Sequence, residues 1–136
     1  MKPKSVYKLS LSPEKLSFTL IGISSHENEY RLAWSLNNFL ELKFTQTEPL
    51  MGTAGEFMRY IHQGTDEQTV WLISNRCDNA YLLNKYKNFD FLLKFERELD
   101  ASELTQWLQK LKGVALVSAI LQIPVDKTVL TKISVP

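Results

Sequence analysis

Cysteine is nearly absent: Cys77 stands alone in 136 residues, so no internal disulfide can form. A chain without disulfides suits a reducing compartment. Histidine is scarce as well, with only His26 and His62. With Cys77 these are the only soft or borderline metal ligands, and none are paired at ligand spacing, which argues against a structural zinc site. Glycine is sparse. Gly22 has no second glycine near it, so neither a phosphate-cradling loop nor a nucleophile elbow is spelled out. Charge of one sign is missing too. Sixteen Lys and Arg oppose fifteen Asp and Glu, for a formal charge of +1. That balance disfavours a dedicated nucleic-acid binder and leaves room only for a local patch. Long apolar runs are missing. Leu116 to Ile123 is interrupted by Ser118 and Gln122 and is too short to span a bilayer. Met1-Lys2-Pro3-Lys4 is basic, yet no apolar core of signal-peptide length follows. We therefore expect a cytoplasmic protein with no membrane association.

What is present is the composition of a globular domain: 44% hydrophobic and 23% charged residues. The length fits one domain over residues 1–136 and can bury a core without staples. Residues 1–4 and 126–136 are expected as loosely attached termini, the latter adding a short strand or lying across the surface.

Ser5 to Leu11 reads as a solvated basic edge strand. Leu16 to Ile23 alternates at first and then becomes apolar on both faces, as a strand entering the centre of a sheet does. Glu27 to Leu42 has helical spacing, and Tyr30, Ala33, Trp34 and Leu40 predict its buried stripe, widened by Leu36 and Phe39. Asn37 falls inside that face and is expected as a structural tie. Strands follow at Lys43 to Leu50, ended by Pro49, at Glu56 to His62, and at Gln68 to Ser74, the last two joined by a hairpin. Tyr81 to Leu83 is a short extended piece. Asn88 to Glu96 alternates, with Phe89, Phe91, Leu93 and Phe95 on one face and Lys94 on the other. Asp100 and Glu103 form a capping box before the stripe Leu104, Trp107, Leu108 and Leu111, and Gly113 follows the helix. Val114 to Ile123 is the final strand. The order β-β-α-β-β-β-β-α-β predicts an α+β domain: a mostly antiparallel sheet with two helices on one face.

Ser24-Ser25-His26-Glu27, between a strand and a helix, is the first candidate for chemistry. A catalytic serine needs a base and an orienting group within reach, and adjacent side chains at a helix start fan apart. Ser24 and Glu27 instead match S-x-x-E, a capping box. Glu27 and Glu29, and Glu96 and Glu98, are two apart and read as solvated charges rather than an acid/base dyad. Asp78-Asn79 suits turn chemistry better than a hard cation. Cys77, between Arg76 and Asp78, reads as an inert, half-buried thiol. Arg76, Tyr81, Lys85, Tyr86, Lys87, Phe89 and Lys94 interleave cations and aromatics in the manner of a single-stranded RNA surface, diluted by Asp90 and Glu96. No catalytic residue, metal or cofactor is assigned.

Three segments carry a family resemblance. They are Leu20-Ile21-Gly22-Ile23-Ser24-Ser25 followed by Tyr30-Arg31-Leu32-Ala33-Trp34 and Asn37; Leu72-Ile73-Ser74-Asn75; and Leu83-Asn84-Lys85-Tyr86-Lys87-Asn88-Phe89-Asp90-Phe91. Together they resemble the IPExxxVDY family of Bacteroidetes, whose members are of similar length and unassigned function. In the third segment Asp90 is kept, while Asn84 and Lys85 replace the family's Pro and Glu. The resemblance spans about Phe18 to Val117. It implies a compact bacterial cytoplasmic domain and gives no reaction. Candidate binding positions are therefore Gly22, Ser24, Ser25, His26, Arg31, Asn37, Asn75 and Asp90. The leading expectation is a non-enzymatic module acting through a protein partner or as a homodimer. The alternatives are an RNA- or ribosome-associated accessory, and a small-molecule binder or enzyme at the Gly22–Glu27 turn.

Overall fold

The computed structural model describes residues 18–52, 55–64 and 68–133. The expected edge strand at Ser5 to Leu11 and the tip of the hairpin at residues 65–67 lie outside the described residues. The elements are β1 (Thr19–Ser24), α1 (Glu29–Leu40), β2 (Thr45–Gly52), β3 (Gly55–Gln63), β4 (Thr69–Ser74), a small hairpin of β5 (Arg76–Cys77) and β6 (Ala80–Tyr81), a 3-10 turn (Asn84–Tyr86), β7 (Phe91–Phe95), α2 (Ala101–Lys112), β8 (Ala119–Ile123) and α3 (Lys127–Ile133). The main sheet has six strands in the order β2-β3-β4-β7-β1-β8. Every neighbouring pair in it is antiparallel. The fold is α+β, as the pattern of elements predicts.

Both faces of the sheet are covered, which is why the central strands are apolar on both sides. On the front face, Ile21, Ile23, Leu72, Leu93 and Phe95 meet Leu32, Ala33 and Leu36 of α1 and Leu111 of α2. Both expected helices therefore share one face. On the back face, Leu20, Trp71, Ile73 and Leu92 pack with Leu82, Leu83 and the α3 residues Val129 and Ile133. Instead of a loose end or short strand, residues 127–133 form a helix that covers the back of the sheet. Lys94 anchors it. Its ammonium group is buried, donates to the Ile133 carbonyl at 3.0 Å and pairs with Glu96 at 3.0 Å. It thus satisfies a carbonyl that a helix C-terminus leaves without a partner.

Three expectations change in detail. The buried stripe of α1 is Leu32, Ala33, Ser35 and Leu36, while Tyr30, Trp34 and Phe39 are exposed, at 67%, 57% and 60%. Small residues at 33 and 35 let the backbone approach the sheet, and the aliphatic residues Leu32 and Leu36 set the rotation. β2 does not end at Pro49. It continues to Gly52 past an irregularity between Thr47 and Leu50, which an edge strand tolerates. Finally, β7 starts at Phe91, and Phe89 leaves the alternation to pack on Gly22.

α2 follows its sequence signals. Asp100 accepts from the Glu103 amide, and the Glu103 carboxylate accepts from the Asp100 amide, closing the capping box. The Leu99 and Leu104 side chains pack against the front core.

Candidate functional site

Ser24 is still in the sheet, paired with Ala119. Its carbonyl accepts from the Ser118 amide at 2.8 Å, and its hydroxyl donates to the Asn88 carbonyl at 2.6 Å. A serine held this way cannot cap a helix four residues on. The capping box expected at Ser24 and Glu27 does not form. Asn28 is the cap, its Oδ1 accepting from the Arg31 amide at 2.9 Å. The buried Ser25 accepts from the Glu27 amide at 3.2 Å and donates its own amide to Asp90 Oδ2 at 3.1 Å. His26 is exposed. Arg31 pairs with Glu27 at 3.4 Å on the surface, a contact of little energetic weight.

Asn75 is completely buried and organises the loop that follows it. Its Nδ2 donates to the carbonyls of Tyr86 at 3.0 Å and Phe89 at 2.9 Å. Its Oδ1 accepts from the Leu83 amide at 2.8 Å. Its backbone exchanges bonds with the Leu82 amide and the Asp90 carbonyl, both at 2.8 Å. A buried amide must satisfy its donors and acceptors, and Asn75 does so by holding both ends of the Leu83–Asp90 segment. Asp90 adds a second tie, with Oδ1 3.7 Å from Arg76 Nη1. Gly22, Ser24, Ser25, Asn75 and Asp90 thus converge.

Their convergence is a backbone lock. The Ser24 proton points to a carbonyl oxygen, which is no general base. Beside Gly22 there is no space for a ligand, because the Phe89 ring fills it: a Cβ on Gly22 would stand 2.8 Å from Phe89 Cγ. Asn37 lies apart from this cluster and is the structural tie its position predicts. It donates to the Phe44 carbonyl at 3.1 Å and accepts from the Phe44 amide at 2.7 Å. His62 is also engaged structurally, its Nδ1 accepting from the Lys43 amide at 2.9 Å.

The basic and aromatic patch does not survive as a single surface. Lys94 is buried under α3, Phe89 packs on Gly22, and Arg76 leans on Asp90. Lys85 and Lys87 remain exposed, with their ammonium groups 5.8 Å and 5.9 Å from the Tyr86 and Tyr81 ring centroids. Asp78, at φ 53°, occupies the left-handed position in the β5–β6 turn, a conformation that Asp tolerates. Cys77 is half-buried.

The pinned segment forms one wall of a groove that the sequence does not advertise. The 3-10 turn and α3 enclose about 310 Å³, lined by Leu83, Asn84, Lys85, Tyr86, Asp126, Thr128, Val129 and Lys132. Leu83 and Val129 are buried and form its apolar floor, while Lys85 and Lys132 are exposed at its rim. The groove is missed because α3 is only seven residues long, too few for a clear helical period. The amphipathic spacing of Val129 and Ile133 was its one signal. A second cavity, of about 370 Å³, lies between Leu20, Leu99, Ile123 and the α3 residue Leu130.

Among the described residues, no three His, Cys, Asp or Glu side chains come together as a metal site, and no helix is long and apolar enough to cross a membrane. No known family model and no curated protein matches the chain.

Proposed function

We propose that the protein is a non-enzymatic interaction module of the bacterial cytoplasm, acting as an adaptor or a homodimer, and that it belongs to the IPExxxVDY family. One observation carries the interaction reading. Tyr30 and Trp34 stand one turn apart on the outer face of α1, each more than half exposed. Large aromatics of this kind are enriched among the residues that dominate protein interfaces. Among the described residues β8 is an outermost strand, uncharged, with Leu121 exposed. The family assignment is supported by the meeting of the three resembling segments at one lock, through Ser24, Ser25, Asn75 and Asp90.

Light scattering on dilute protein, with affinity capture from native lysate, tests the interaction reading. The wild type is expected to be a dimer or to retain a partner. Tyr30→Ala with Trp34→Ala is expected to lose that association at an unchanged melting temperature. A strictly monomeric wild type that retains nothing beyond the double variant overturns it.

A second reading, an RNA- or ribosome-associated accessory, draws on the exposed Lys85 and Lys87. It requires binding of single-stranded RNA that weakens as salt rises.

A further inference from the structure

We propose that the groove between the 3-10 turn and α3 binds an acidic peptide segment, with carboxylates on Lys85 and Lys132 and an apolar side chain over Leu83 and Val129. This is a second surface, on the opposite face of the sheet from α1, and goes beyond the interaction reading carried by Tyr30 and Trp34. The groove is positively charged. The turn carries Lys85 and is followed by Lys87, and α3 carries Lys127 and Lys132. The one carboxylate in the lining, Asp126, accepts from the Val129 amide at 2.9 Å and offsets only part of that excess. Neither Lys85 nor Lys132 is paired with a carboxylate among the described residues. The chain as a whole is nearly neutral, so this is a local concentration of positive charge.

The groove is also preorganised, which reduces the ordering cost of binding. One wall is fixed because the Asn75 side chain bonds Leu83 and Tyr86. The other is fixed because Lys94 holds the Ile133 carbonyl while Val129 and Ile133 are buried. The groove's shape selects among ligands. An apolar floor between two lysines suits a side chain flanked by carboxylates better than a bare anion. Nucleic acid is disfavoured because stacking needs an open aromatic face. Here Tyr86 is half-buried and Lys85 stands over its ring.

The test is an amide NMR titration of the full chain with a blocked Asp-Glu-Leu-Glu-Phe peptide. Shifts are expected at residues 83–86 and 126–132, with affinity falling about tenfold when ionic strength rises from roughly 0.05 M to 0.3 M. Lys85→Glu with Lys132→Glu should abolish the shifts without changing the rest of the spectrum. The same peptide with Lys at its acidic positions should give none. Should the double variant misfold, the salt dependence and the basic peptide on the wild type decide. Absence of shifts overturns the proposal. So does inorganic phosphate or an oligouridine that reproduces the shifts at equal concentration. Shifts confined to α1 or β8 overturn the groove and leave the interaction reading standing, because that reading fails only by the scattering and capture measurements.

Discussion

At Gly22 a methyl group would meet the Phe89 ring at 2.8 Å and Ile123 Cδ1 at 3.1 Å. Neither neighbour has an easy retreat: Ile123 is buried, and Phe89 is tied through its carbonyl to Asn75. Gly22→Ala should therefore destabilise by about 1–3 kcal/mol, the range for overpacking a filled site. Phe89→Leu in the same chain should recover part of that loss, because the two positions are in contact. Urea denaturation of both single variants and the double variant measures this. A neutral Gly22→Ala would mean that Phe89 does not occupy the space. In sequence, Gly22 and Ser24 look like the start of an active-site turn, and Phe89 like one tooth of a regular strand. Their meeting was not legible, because it depends on Phe89 leaving the strand period. That departure follows from Asn75, whose side chain claims the Phe89 carbonyl from 14 residues away.

Asn28→Ala should cost about 0.5–2 kcal/mol and speed hydrogen exchange at the Arg31 amide, which the Asn28 side chain protects. Ser24→Ala should leave Arg31 exchange unchanged and lose only the bond to the Asn88 carbonyl, about 0.5–1.5 kcal/mol. Faster Arg31 exchange in Ser24→Ala would return the cap to Ser24. The α2 start was legible because Asp100 and Glu103 supply both halves of a reciprocal box directly before the helix. The α1 start was misread because Ser24 and Glu27 carry the same pattern, while the sheet had already claimed the serine. The α1 face was misread for a different reason: Tyr30 and Trp34 are large apolar residues, and size alone does not determine which side meets the core. The mostly antiparallel sheet was legible from its runs of hairpin-linked strands, whereas the strand order, with β7 between β4 and β1, was not, because it depends on long-range pairing.

The whole molecule should lose stability on the acid side. Burial, reinforced by the nearby Lys43 charge, lowers the pKa of His62 from its ordinary 6.5. The unfolded chain then binds that proton more readily than the folded one. Stability from His62 is full above about pH 6.5 and falls as pH drops through that value toward the lower folded pKa. Glu103 acts further down. Its hydrogen bond from Arg97, and then its bond from the Asp100 amide, take its pKa from 4.5 to about 2. Its contribution is present above 4.5 and lost as pH falls to about 2. Melting temperature against pH should decline below about 7 and stay flat above it until the tyrosine range near 10, where burial has raised Tyr60. His62→Gln should remove the upper part of the decline and Glu103→Gln the lower part. Profiles that overlay the wild type would remove these two groups from the acid response.

Among the described residues, the two outermost strands of the sheet are chemically unequal. β2 presents Glu48, Pro49 and a shifted register, all of which resist a further strand, whereas β8 is Ala-Ile-Leu-Gln-Ile, uncharged and without proline. With only these strands considered, such a sheet has one receptive rim and a valence of one. Growth by strand addition at β8 would use up that rim in each participant and close at a pair, so the same asymmetry that would permit a dimer would also forbid a filament.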